Sequence, residues 1–182
     1  MIRLQHHDGV SLAGQLVYRE YEYSFDFKAE EQSELVRRAG ASGTTSLLIG
    51  TLQIEIGIET HVALFVWGLH SHKDQWVRGC LSPVSLRPGS VKVLFDQQPI
   101  AGVSQTLVET AQVRTTYDPD SGWLCISLGN DVIADVYVEF AEDTVAGLLN
   151  EKLVELWLRP VWRRERFGEE SAPLFNQLKN RP

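Results

Sequence analysis

Apolar and polar residues alternate without a break through Leu52-Gln53-Ile54-Glu55-Ile56-Gly57-Ile58-Glu59. A strand points successive side chains to opposite faces, so this period of two predicts one dry face and one wet face. The stretch belongs to an opening strand over 46–59, with Gly50 and Gly57 as bulges or bends. Residues 62–69 are apolar at nearly every position, which predicts a central strand covered on both faces. Shorter strands are expected at 76–81 and 91–95, on either side of a loop carrying Pro83, Pro88 and Gly89.

Near the N-terminus, residues 2–7 and 10–18 flank Asp8-Gly9, a hairpin signal. The second arm continues through 21–27 and sets Tyr21, Tyr23, Phe25 and Phe27 on one face. Residues 107–117, 123–128 and 131–140 alternate in the same way and are separated by turn residues at 118–122 and 129–130. They predict a three-stranded meander.

Two segments carry the helical spacing. Residues 28–39 place Glu30 and Glu31 near one end and Arg37 and Arg38 near the other, with Asp26 as a cap and Gly40 as a stop. The apolar stripe is thin, so this helix lies half exposed on the sheet. Residues 144–158 place Val145, Leu148, Leu149, Leu153, Leu156 and Trp157 three and four apart, and Pro160 follows. A helix near 144–158 is expected there, although Val154, Leu156 and Leu158 also fit a strand.

The predicted fold is therefore α+β and predominantly antiparallel β. It is a curved sheet, a sandwich or a barrel-like sheet, with a short helix near 28–39 and a C-terminal helix near 144–158. Residues 1–158 form a single β-rich domain, and 159–182 form a basic and aromatic C-terminal arm.

Composition narrows the function classes. The chain has 182 residues, 43% of them hydrophobic, which suits one domain with a substantial core. The net charge of −7 argues against a nucleic-acid binder, because phosphate contact needs a basic face. No apolar run approaches the roughly 20 residues of a membrane helix, and the first residues lack a secretory h-region. Two cysteines, Cys80 and Cys125, make no disulfide framework. A cytoplasmic protein with no membrane or nucleic-acid partner is expected.

Among residues with chemistry, Trp67-Gly68-Leu69-His70-Ser71-His72-Lys73-Asp74 stands out at the end of an apolar strand. His70, His72 and Asp74 are the candidate metal ligands, since two imidazoles and a carboxylate suit zinc. The segment resembles the His-x-His-x-Asp-His run of the metallo-β-lactamase fold, with Gln75 at the final His position. It is also similar to the His-Ser-His core of JAMM-type metallopeptidases, with Lys73 in place of Pro. Either resemblance implies a metal-dependent hydrolase, and each stops short of a full ligand set. His6 and His7 fall on opposite faces of a strand and read as surface groups. The chain contains no Gly-x-Ser-x-Gly and no phosphate-binding glycine loop. The carboxylates Glu20, Glu22, Glu55 and Glu59 fit a solvated sheet face, where charges also blunt edge pairing.

The end of the chain interleaves arginine with large aromatics. From Arg159 onward six Lys or Arg face three Asp or Glu, leaving +3 there and −10 before it. Trp157, Arg159, Trp162, Arg163, Arg164, Arg166 and Phe167 are the candidate interaction residues, because Arg and Trp are enriched at interface hot spots. The alternative is that the segment packs on its own acidic body. The leading functional expectation is a non-enzymatic binding or assembly module without a cofactor. It would act through protein–protein contacts, by a partner or by self-association through the arm. A β-barrel carrier of a small apolar ligand and a metal-dependent hydrolase are the other two readings.

Overall fold

A computed structural model describes residues 2–71, 73–79, 83, 85–129 and 132–164. Its strands are β1 (Arg3–Asp8), β2 (Gly14–Arg19), β3 (Ser24–Ala29), β4 (Thr44–Ile49), β5 (Leu52–Gly57), β6 (Ala63–Leu69) and β7 (Val77–Arg78). They continue as β8 (Arg87–Leu94), β9 (Gln105–Val108), β10 (Val113–Tyr117), β11 (Leu124–Leu128), β12 (Val136–Ala141), β13 (Thr144–Leu149), β14 (Lys152–Leu158) and β15 (Val161–Arg163). Helix α1 (Gln32–Ala39) joins β3 to β4.

The strands form two sheets in a sandwich-like arrangement. One sheet has eight strands in the order β1-β8-β12-β13-β14-β11-β10-β7; the other has seven in the order β15-β2-β3-β6-β5-β4-β9. Both are mixed, since β7 with β10, β8 with β12, β15 with β2, and β4 with β9 are parallel pairs. Among the described residues neither sheet closes on itself, so the expectation of a barrel gives way to two open sheets with β1, β7, β15 and β9 at their edges.

The core lies between the sheets. Leu16, Leu47, Ile49, Leu52, Ile54, Ile56 and Val66 from one meet Val91, Val93, Leu124, Ile126, Val138, Phe140 and Leu156 from the other in one buried cluster. Burying such a side chain contributes roughly 1.5–3 kcal/mol, so this cluster is the main source of stability. The alternation through β5 is borne out: Leu52, Ile54 and Ile56 are buried, and Gln53 and Glu55 lie on the wetter face. Glu55 accepts bonds from the Ser46 hydroxyl (2.7 Å) and the Trp67 indole (2.9 Å) on that face. Strand β6 is central, between β3 and β5, but it is not covered on both faces as expected: Ala63, Leu64 and Val66 are buried, while Trp67 and Leu69 are exposed.

Several local expectations are corrected. The single strand over 46–59 is a hairpin, in which Gly50 turns the chain at φ 61° and β4 pairs with β5. Asp8-Gly9 does not make a hairpin of β1 and β2, because β1 pairs with β8 and β2 lies in the other sheet. The run through 21–27 is interrupted by a turn at 20–23, with Tyr23 at φ 52°. Phe25 is buried, while Tyr21 and Tyr23 are exposed. The meander fails at its third strand, since β11 pairs with β14 and β12 pairs with β13 and β8.

The helix near 144–158 is the largest correction. This segment is the β13–β14 hairpin, and Asn150 (φ 50°) and Glu151 (φ 62°) make its turn. The hairpin lies inside its sheet between β12 and β11 and is covered on both faces. Ala146, Leu148, Leu153, Leu156 and Leu158 face the main core. Val145 and Trp157 join Trp123 and Cys125 in a second cluster. A strand buried on both faces is apolar almost throughout, so helical spacing is contained in it by accident. The helix expected at 28–39 does form, but shorter, because β3 runs on to Ala29. Glu31 rather than Asp26 occupies the N-cap, and Gly40 ends the helix as expected. Arg37 and Arg38 both bond Glu34 and hold its carboxyl down at about 2.

Candidate functional site

His70 and Asp74 line different clefts. His70 follows β6, and its backbone N–H donates to the Tyr23 carbonyl at 2.7 Å. Its ring is buried between Phe25 and Trp76 at centroid distances of 5.9 and 5.8 Å. Nε2 lies 2.8 Å from the Thr115 hydroxyl of β10. Burial pushes its pKa down to about 4, so the ring is neutral near pH 7. Asp74 sits in the short 3-10 turn at Lys73–Gln75 and is exposed. His70 lines a small cavity of about 260 Å3 with Ser71, Gln75 and Thr115, whereas Asp74 lines a different cleft beside Trp76 and Arg78. His72 lies outside the described residues. Among the described residues no three His, Cys, Asp or Glu side chains are grouped to hold a metal ion. His70 here can tie the two sheets together through Thr115.

The arginine- and tryptophan-rich segment is largely folded into the sandwich. Trp157 is buried, with Trp123 at 6.5 Å and Tyr137 at 6.3 Å, and its indole donates to Glu155 at 3.0 Å. Arg159 donates to Asp143 through Nε (2.8 Å) and an Nη (2.6 Å), and its guanidinium lies 5.0 Å above the Trp123 ring. Residues 161–163, assigned from sequence to the arm, form β15 beside β2. Trp162 packs on Tyr18 at 5.1 Å, and the Arg163 carbonyl accepts the Glu20 N–H at 2.9 Å. Arg164 pairs with Glu20 at 3.3 Å. Arg166 and Phe167 lie outside the described residues.

The sandwich has two open sides, and each carries a cleft. On the first, β1 and β9 are the facing edges of the two sheets, with the loop over 96–103 between them. The cleft there holds about 800 Å3. Ile2, Leu4, Ile100, Val103, Leu107, Val108 and Leu153 supply apolar walls, and Gln97, Gln98, Gln105 and Thr106 supply neutral polar groups. Asp96 and Lys152 are its charged residues. Ile100 is 66% exposed and Val103 50%, so these apolar side chains meet solvent in the free protein. On the second open side, β7 faces β15 across a smaller cleft lined by Trp76, Tyr117 and Trp162.

None of the first cleft's residues stands out in the sequence. Asp96-Gln97-Gln98-Pro99-Ile100 reads as an ordinary loop. The one available signal is a pair of amides followed by an apolar residue in a segment with no strand pattern of its own. The cleft exists because β1 and β9, ninety-odd residues apart, end opposite each other. The chain matches no known protein family, and no curated protein is significantly similar to it in sequence.

Proposed function

We propose that this protein is a binding module that holds a small, neutral, largely apolar ligand in the cleft between β1 and β9. The observation that carries this reading is the cleft itself. Its volume of about 800 Å3 falls in the range of small-molecule sites, and aliphatic walls with a few amides suit an apolar ligand bearing one or two polar atoms.

Titration with Nile red, a neutral apolar dye, tests the reading. The full chain is expected to bind the dye with a blue-shifted emission. Val103→Arg should weaken binding by at least about tenfold, because a cation is placed against an apolar ligand. Val103 is half exposed, so the melting temperature should stay within about 2 °C. Equal affinity in the variant would place the dye elsewhere and remove the basis of the proposal.

An assembly role is a second reading, supported by a different surface. Trp67 and Leu69 are exposed on the outer face of β6, beside a shallow hollow bounded by Leu48, Gln53 and Ser24. Light scattering over a concentration series tests it: a mass above 20.5 kDa that returns to monomer in Leu69→Lys supports assembly. A monomeric mass at every concentration counts against self-association.

A further inference from the structure

The second open side of the sandwich carries a site of opposite character. The edges β7 and β15 meet there across a cleft of about 530 Å3. Its wall is aromatic: Tyr117 and Trp162 are 5.3 Å apart, and Trp76 lies 5.9 Å from each. Trp76 seals the floor at 7% exposure, while Tyr117 and Trp162 are half-buried and reach solvent. Tyr18, fully buried, packs behind Trp76 and Trp162 and holds them in place.

Cations ring this wall. Lys73 from the 3-10 turn and Arg164 from the end of β15 both contact the Glu20 carboxylate. Arg78, on the two-residue β7, is exposed and has no ion pair among the described residues. Asp74 is the carboxylate that lines the cleft. The cleft's own lining thus holds three cations against one carboxylate, while Glu20 pairs with Lys73 and Arg164 and Asp118 acts on Tyr117, in a chain of net charge −7. A basic, aromatic hollow on an acidic protein is complementary to an anion that also has an apolar ring. Ring stacking and a charge-assisted bond to a guanidinium fork would then act on one ligand.

We propose that the cleft between β7 and β15 binds a small aromatic carboxylate, with its ring against Tyr117 and Trp162 and its carboxylate on Arg78. A simple inorganic anion lacks the ring, and a neutral aromatic lacks the charge. A nucleic acid would need a basic track longer than this one rim.

Isothermal titration of the full chain at low ionic strength tests the site, with naphthoate as the probe. Naphthoate is expected to bind at least about tenfold tighter than naphthylmethanol or cyclohexanecarboxylate, since each lacks one of the two interactions. Arg78→Gln should weaken naphthoate by about tenfold with no loss of thermal stability, because Arg78 is exposed at an edge. Arg78→Lys should recover part of that loss, as the charge returns without the fork. Val103→Arg, in the other cleft, should leave naphthoate affinity unchanged, so the two sites stand or fall separately. Equal binding of naphthylmethanol, an unaffected Arg78→Gln, or tighter binding of sulfate or oligothymidylate than of naphthoate would each overturn the proposal.

Discussion

His70 shows how one residue changes meaning between sequence and structure. In the sequence it stands two residues from His72 and four from Asp74, at metal-ligand spacing. In the fold its ring is 8% exposed and bonded to Thr115. Burial lowers its pKa from 6.5 to about 4. The unfolded chain therefore takes up a proton between those values that the native chain does not. Stability from the neutral ring is complete above pH 6.5 and falls as the pH drops toward about 4, by on the order of 3 kcal/mol. Urea midpoints measured across this window should fall more steeply for the natural chain than for His70→Gln. Thr115→Val, which leaves the ring nitrogen without its hydroxyl, should cost about 1–3 kcal/mol near pH 7 in the same measurement. Cys125 is a parallel case. Burial, then Glu155, pushes its thiol up to about 12, so iodoacetamide at pH 8 should spare it until the chain is unfolded. Peptide mapping by mass spectrometry distinguishes its labelling from that of Cys80.

At the scale of elements, the strands with one wet face were legible and the strands buried on both faces were ambiguous. Strand β5 alternates because solvent and core impose different chemistry on its two sides. Strand β13 is buried from Thr144 to Leu148, and the charged residues of β14, Lys152 and Glu155, stand three apart, so no period of two is marked. The clues were instead at the turn and at Gly147. Asn150 and Glu151 both have positive φ, as a two-residue hairpin turn requires. Asn150→Ala is expected to cost about 1 kcal/mol, since alanine lacks the asparagine side chain that tolerates this backbone. Gly147 has Glu155 Cβ at 2.9 Å and Ala134 Cβ at 3.0 Å from where its own Cβ would stand. Gly147→Val should therefore push β14 away and cost about 1–3 kcal/mol, read as a lower urea midpoint at unchanged slope.

At the scale of the whole molecule, the two edges at each open side define the clefts and hence the proposed functions. Strand β15 borders one open side, and Trp162 is its anchor among Tyr18, Trp76 and Tyr117. Trp162→Ala should cost about 3–5 kcal/mol and lower the melting temperature by on the order of 10 °C, with a weaker near-ultraviolet circular dichroism signal. An unchanged melting temperature would mean that β15 contributes little to the sandwich. The Arg159–Asp143 pair is exposed, so Arg159→Ala should change stability by no more than about 1 kcal/mol. Among the described residues no helix is long and apolar enough to cross a membrane. The sequence alone determined that most of this chain is strand, that one short helix ends at Gly40, and that apolar residues suffice for a single large core. Those properties follow from local periodicity and composition, which each segment carries by itself. Tertiary structure alone decided that β1 pairs with β8 rather than β2, that 144–158 is a hairpin, that His70 and Asp74 line different cavities, and that two clefts of contrasting charge exist. Each of these depends on which distant strand competes best for a free edge, and that choice is made by burial across the whole core.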